Sequence, residues 1–287
     1  MTIMKEGLMN AIKGRIEHPQ DLLKSLAGSL ANEVHLKGKK SVILGISGGA
    51  DSALAAHIAV RATGDNIAAH LFHFIDKNDS VEAASRAAAL GAAYASTVVT
   101  YESKDLQPIL DQYNGMLDEN EKMDNAAINR CRRILLEQEA HTHDGIIINT
   151  KTLTDWLLGW FTIGGDDGHY PLLKFLLKTE VYKLLEEAKA YETEKGKDNI
   201  TPVLSECLLA IPANSVGINE YDAMEGLQVP VVDHNLCVIL AARESSCDLL
   251  LHSHKDGPVS RTVKQAKFVR EANPFDYNLF RKTFFDA

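Results

Sequence analysis

The stretch SVILGISGGADSALAAHIAVRA, residues 41–62, decides the fold. SVILGI (41–46) is a continuous apolar, partly β-branched run, as a strand buried on both faces requires. An alanine-rich helix is expected from about Asp51 to Arg61. Gly48 and Gly49 lie between them and let the backbone turn tightly. Strand, glycine turn and helix put that turn at the carboxyl end of a parallel strand, where open α/β sheets bind ligands.

The same alternation continues on both sides. Leu22, Leu23, Leu26, Leu30 and Val34 recur at helical spacing over 20–36. IAAHLFHF (67–74), STVVT (96–100) and GIIIN (145–149) read as further strands. Helices are expected over 80–90, where Asp79 and Glu82 form a capping box, and over 124–142 and 179–189. Strands alternating with helices imply crossover connections, hence an α/β fold with a doubly wound parallel sheet and helices on both faces. The signal weakens after about residue 195. Prolines at 202, 212 and 230 accompany VPVVDHNLCVILAA (229–242), which fits a strand or a buried helix; 259–271 looks helical. No repeat or linker stands out. Residues 1–287 therefore read as one domain, with an N-terminal arm over 1–19 and an aromatic tail over 272–287. That tail holds Phe275, Tyr277, Phe280, Phe284 and Phe285.

Composition narrows the function. The chain has 287 residues, 45% hydrophobic and 24% charged, in the ordinary range for a soluble globular protein. Thirty Lys+Arg against 39 Asp+Glu leave a net charge of −9. That argues against a nucleic-acid-binding face, which needs basic residues to neutralise phosphates. A small phosphorylated ligand needs only a local nest of donors and stays allowed. No apolar run approaches the roughly 18 residues of a membrane span, and no secretory signal is visible, so a cytoplasmic protein with no membrane partner is expected. Cys131, Cys207, Cys237 and Cys247 are far apart, and the pairs His141/His143 and His252/His254 are isolated, so zinc is not expected.

LGISGGADS (44–52) carries the chemistry. Successive amides in the turn, the following helix start and the hydroxyls of Ser47 and Ser52 all suit an anion. Asp51 would repel phosphates unless a divalent cation lay between, so it reads as a magnesium ligand. The loop is neither a GxxxxGK[ST] nor a GxGxxG motif.

The SGGxDS pattern of Ser47–Ser52 resembles the signature of the N-type ATP pyrophosphatases, which have the adenine nucleotide alpha hydrolase-like fold. Such enzymes cleave ATP between the α and β phosphates and adenylate a carboxylate or carbonyl. Residues 149–188, with Thr150, Gly165-Asp166 and LKTEVYKLLEEA, resemble a stretch of ammonia-dependent NAD synthetase. Arg130-Cys131-Arg132 falls where that family has Arg-x-Arg, 20 residues before the threonine.

The resemblance implies site residues one by one. Gly45, Ser47, Gly48, Gly49, Asp51, Ser52, Thr150 and Lys178 stand at ATP-binding positions. Asp51 and Asp155 stand at magnesium-binding positions, Asp155 in place of a family glutamate. Arg130, Asp166 and Asp167 stand on the acceptor side, and Asp51, Lys178 and Asp166 are the implied catalytic residues. The implied reaction converts deamido-NAD, ATP and ammonia to NAD, AMP and pyrophosphate, in a homodimer. The length leaves no room for a glutaminase domain, so ammonia is expected from solution or from a separate partner.

The dinucleotide side departs from the family pattern. Ile163 replaces a lysine, two residues are missing after Gly165-Asp166, and His169-Tyr170 abut Pro171. Ala272-Asn273 replace a His-Lys pair, and His73–Lys77 replace Leu-Pro-Tyr…Gln. These losses favour, as a rival, the same adenylation chemistry on a different carboxylate. A non-catalytic nucleotide-binding paralog is a rival of another class, opposed by retention of Asp51, Asp155 and Lys178. A tRNA-modifying member is opposed by the acidic charge and the lack of paired cysteines.

Overall fold

The structure, a computed structural model, describes residues 16–64, 66–77, 80–116, 125–158, 162, 164, 165 and 168–210. Helix α1 (Pro19–Leu36) leads into β1 (Ser41–Gly45), α2 (Ala50–Ala62) and β2 (Ala68–Ile75). Helix α3 (Val81–Tyr94), β3 (Val99–Asp105), α4 (Gln107–Asn114) and α5 (Asn125–Thr142) follow. The remaining elements are β4 (Gly145–Ile147), α6 (Leu153–Leu158), α7 (Lys178–Glu194) and α8 (Thr201–Leu209).

The four strands form one parallel sheet in the order β3-β2-β1-β4. Alternation along each strand supplies two apolar faces. Val42, Leu44, Ala69, Leu71 and Ile146 face a core shared with α1, α2, α3, α7 and α8. Ile43, Phe72, Phe74 and Ile147 face the other way, under α5. Right-handed crossovers require this: the chain steps from β1 to β3 in one direction, then returns to the far side of β1, so α5 covers the opposite face. The doubly wound sheet expected from the sequence is therefore present. No helix among the described residues is long and apolar enough to cross a membrane.

The local differences have physical reasons. Helix α3 is capped by Ser80, whose Oγ accepts the Ala83 amide at 3.0 Å; Asp79 of the expected box lies outside the described residues. Strand β3 runs on to Asp105 through TYESKD, whose charged side chains hide a strand held by pairing with β2. Helix α8 starts with Pro202 in its first turn, where a proline's missing N–H costs nothing. Cys131 and Cys207 are buried free thiols, and burial pushes Cys207 up to about 11. Cys237, Cys247, His252, His254, the strand or helix of 229–242, the helix of 259–271, residues 1–15 of the arm and the aromatic tail lie outside the described residues.

One buried ion-bearing group bridges α2 and α7. His57 Nδ1 lies 3.2 Å from Glu192 Oε1 and 3.1 Å from the Tyr94 hydroxyl, with both His57 and Glu192 nearly inaccessible. Burial lowers the His57 pKa and Glu192 only partly offsets this. Burial pushes Glu192 up, but hydrogen bonds from His57 and Lys197 outweigh it and leave Glu192 low. Both folded-state values lie below the unfolded ones, so both contributions to stability are lost as pH falls. For His57 the loss begins below its ordinary 6.5. Thermal unfolding between pH 7.5 and 5.0 should therefore show a falling Tm. His57→Gln should make that dependence shallower; an identical slope would exclude the histidine as a contributor.

Candidate active site

The strand order reverses at β1, with β2 on one side and β4 on the other. In an open parallel sheet this switch point leaves a crevice beyond the carboxyl ends of the two central strands. The loop 46–49 leaves β1 here, and Asn149-Thr150 leave β4 beside it. Gly45 is the last residue of β1, with Leu136 of α5 at 3.7 Å from where a Cβ would stand.

The glycine turn is shaped by its own side chains. Gly48 has φ +76°, and a Cβ there would lie 2.3 Å from the Ala83 carbonyl oxygen of α3. Arg86 Nε, also from α3, donates to the Gly48 carbonyl at 2.9 Å. The Ser47 amide donates to Ser52 Oγ at 3.1 Å, and that hydroxyl donates to the Gly49 carbonyl at 3.0 Å. Buried Ser52 thus holds the turn, and the exposed Ser47 shares a hydrogen bond with it, hydroxyl to hydroxyl, at 3.1 Å. Helix α2 has no side-chain cap, so its first amides remain donors for an anion at its positive end.

Three charged side chains meet beside this turn. Lys178, the first residue of α7, is 4% exposed and its Nζ pairs with Asp51 Oδ2. Its amide donates to Thr154 Oγ1 at 3.0 Å, which ties α7 to α6. Asp155 is equally buried, its Oδ2 accepting the Thr152 amide at 2.9 Å and the Thr152 hydroxyl at 2.7 Å. Burial lifts Asp51 above the usual carboxylate range, opposed by Lys178 and reinforced by the charge of Asp155. Burial also pushes Asp155 upward, but Lys178, Lys151 and the Thr152 hydrogen bonds outweigh it, so its carboxyl sits low.

Asp51 Oδ1 is buried and has no hydrogen-bond partner. A buried carboxylate oxygen left bare costs free energy unless a cation completes it. Two oxygen donors of like charge, one of them incomplete, fit a hard divalent ion that takes its other ligands from phosphates and water. No group of three or more His, Cys, Asp or Glu that could hold a metal occurs among the described residues. Asp51 and Asp155 are the described carboxylates beside the turn that could contribute to such a site.

A sequence model of the family described as NAD synthase matches residues 22–194, more than half of the 287-residue chain. The chain belongs to the NAD synthase family. It is similar to the NH3-dependent NAD(+) synthetase of Trichlorobacter lovleyi, 31% identical over 167 residues that make up 57% of this chain and 59% of that protein. For that of Thermococcus kodakarensis the identity is 28% over 167 residues, 56% of this chain and 63% of that protein. The matches span about six-tenths of the length of these curated relatives. Two solved structures share the fold. An NMN synthetase from Francisella tularensis has a TM-score of 0.69 at 19% identity, over 88% of this chain and 96% of that one. An NH3-dependent NAD synthetase from Campylobacter jejuni has 0.62 at 21%, with the same coverages.

In this NAD synthase family member, Ser47, Gly48, Gly49, Asp51, Ser52, Asp155 and Lys178 gather at one end of the sheet, with Thr150 on the adjoining loop. Asp166 and Asp167 lie outside the described residues. Their neighbours are described: Asn129 of α5 donates to Thr162 Oγ1 at 3.1 Å, and the His169 amide donates to the Ile147 carbonyl at 2.7 Å. Arg130 is exposed on α5, while Arg132 pairs with Asp76. Sequence reasoning missed Arg86, Lys151, Thr152, Thr154 and Asp76. Arg86, Thr154 and Asp76 act through partners brought near only by folding, and a lone threonine or arginine carries no pattern. Thr152 alone had a readable signal, a hydroxyl three residues before Asp155 where helix caps stand.

Proposed function

We propose that the chain is an ATP-dependent amide-forming ligase, adenylating a carboxylate and transferring ammonia to it, with deamido-NAD as acceptor. The observation that carries this reading is the meeting of Asp51, Lys178 and Asp155 beside an uncapped glycine turn at the switch point. An acceptor carboxylate oxygen attacks the α-phosphorus of ATP, a new P–O bond forms, and the bond to the β-phosphate oxygen breaks. Pyrophosphate leaves. Ammonia then attacks the acyl carbon, AMP departs with the C–O electron pair, and the nitrogen loses a proton. The loop amides, Ser47 and Lys178 orient and neutralise the phosphates. Asp51 and Asp155 would hold magnesium, which when bound neutralises the pyrophosphate leaving group. Asp166 and Asp167 are assigned to hold ammonium, and Arg130 to the acceptor. We also assign a cytoplasmic homodimer supplied with ammonia from solution or by a separate partner.

A second reading keeps the chemistry and shrinks the acceptor. The replaced lysine at Ile163, the two missing residues after Asp166 and Ala272-Asn273 all fall on the dinucleotide side. The Francisella tularensis structure bears the name of an NMN synthetase, whose corresponding acid is nicotinate mononucleotide. Pyrophosphate release with ATP, magnesium and ammonium decides between them. Release with deamido-NAD supports the first reading, and release with nicotinate mononucleotide alone supports the second. ATP binding with no release for any acid leaves only a nucleotide-binding protein.

A further inference from the structure

We infer that Arg86 is a positioning residue that locks the Gly48–Gly49 peptide, so that the Gly49 amide is aimed at a phosphate. This rests on the ATP-binding part of the reading above and adds the group that keeps the turn in its anion-binding form.

The peptide between Gly48 and Gly49 has no side chain on either flank. Gly48 has φ +76°, and Gly49 has φ −92° with ψ 167°. Rotating this one peptide changes only ψ of Gly48 and φ of Gly49, and neither residue has a Cβ to oppose it. A rotation of about 180° would exchange the amide for the carbonyl, and an acceptor would then face the anion in place of a donor. A phosphate turn built on two glycines therefore needs an outside group to hold this peptide.

Arg86 is placed to do so. Its Nε donates to the Gly48 carbonyl at 2.9 Å, a charge-assisted hydrogen bond. The arginine sits in AASRAAAL (83–90), whose small residues let α3 approach the loop. A Cβ on Gly48 would lie 3.0 Å from the Ala87 amide nitrogen and 3.1 Å from Arg86 Cβ. Ala87 and Leu90 are fully buried, so the helix that carries Arg86 is itself fixed. In a trans peptide the N–H points opposite to the C=O. With the Gly48 carbonyl turned to Arg86, the Gly49 amide faces away from α3, toward Ser47 Oγ at 3.5 Å. That contact is at the weak end of the hydrogen-bond range, so a phosphate oxygen at ordinary distance is the better acceptor. The guanidinium also polarises the peptide, which strengthens its N–H as a donor.

The experiment uses the full chain with magnesium, and with ATP and inorganic pyrophosphate as probes in calorimetry. Arg86→Met should weaken both about tenfold, the equivalent of one hydrogen bond. In turnover the KM for ATP should rise by the same factor, with kcat and the acid's KM within about twofold. Arg86→Lys, which keeps a charged donor, should recover part of the loss. In protein labelled with 15N-glycine, pyrophosphate should shift the Gly49 amide resonance in the wild type and much less in Arg86→Met; Gly49→Ala assigns that resonance. A merely structural role would lower Tm and raise both KM values together, and that result overturns the inference. Unchanged affinity for ATP and pyrophosphate in Arg86→Met also overturns it. Wild-type binding of ATP without acid-dependent pyrophosphate release, weakened by Arg86→Met, keeps the inference and sinks the ligase reading. No binding of either probe by the wild type sinks both.

Discussion

Asp51→Asn is expected to lower acid-dependent pyrophosphate release by about 10³-fold or more while the protein stays folded. Asparagine keeps the size of the side chain and removes its charge. Asp51 Oδ2 carries Lys178, and under the proposed function the buried Oδ1, which has no hydrogen-bond partner, is the atom that would meet a cation. An amide is a poor ligand for a hard divalent ion and a poor counter-charge for a buried lysine. The change also leaves the buried Lys178 without its carboxylate, so a lowered Tm is expected, only partly offset because burial makes the ionised Asp51 costly to enclose. Thermal unfolding separates the two effects: a cooperative transition well above the assay temperature together with lost turnover is the expected pair. Turnover above about a tenth of wild type in the folded variant would refute the metal role.

Gly48→Ala should be the most damaging single methyl in the loop, and Gly49→Ala should serve as its control. Gly48 has a positive φ, which costs a residue with a Cβ about 1 kcal/mol. The added Cβ would also stand 2.3 Å from the Ala83 carbonyl oxygen, a backbone atom of a packed helix that cannot move aside cheaply. Either α3 retreats or the loop changes shape, and the second breaks the hydrogen bond from Arg86 to the Gly48 carbonyl. A destabilisation of about 2 kcal/mol or more and a loss of ATP binding of about 10²-fold are expected. At Gly49 the backbone is extended, and a Cβ would meet only Ser47 Oγ at 3.6 Å. Gly49→Ala should therefore unfold within about 2–3 °C of wild type. Equal melting temperatures for the two variants would contradict the close approach of α3 to the loop.

That contrast shows how unevenly the sequence can be read. Gly48 and Gly49 are adjacent letters of one motif, and only the position of α3 separates them. Helix α1 was legible because burial of one face imposes an apolar period that survives in the sequence, and α2, buried nearly all round, from its run of alanines. Strand β3 was legible only at its start. Its partner β2 supplies the backbone hydrogen bonds, and such bonds leave no trace in residue type.

The candidate site divides in the same way. Its inventory follows from local chemistry: a glycine turn between a buried strand and a helix start offers amides that suit an anion, and a carboxylate beside an anion calls for a cation. Residues 41–62 therefore carry the signal for the parallel sheet, for the edge where a ligand is expected and for the kind of ligand proposed. The pairings do not follow. Lys178 meets Asp51 across 127 positions, and Arg132 meets Asp76 across 56. Whether each charge is buried, and what offsets its desolvation, depends on which helices the strand order brings together. Only the tertiary structure decided that, because electrostatic energy depends on distance and on exclusion of water, and neither is local in sequence.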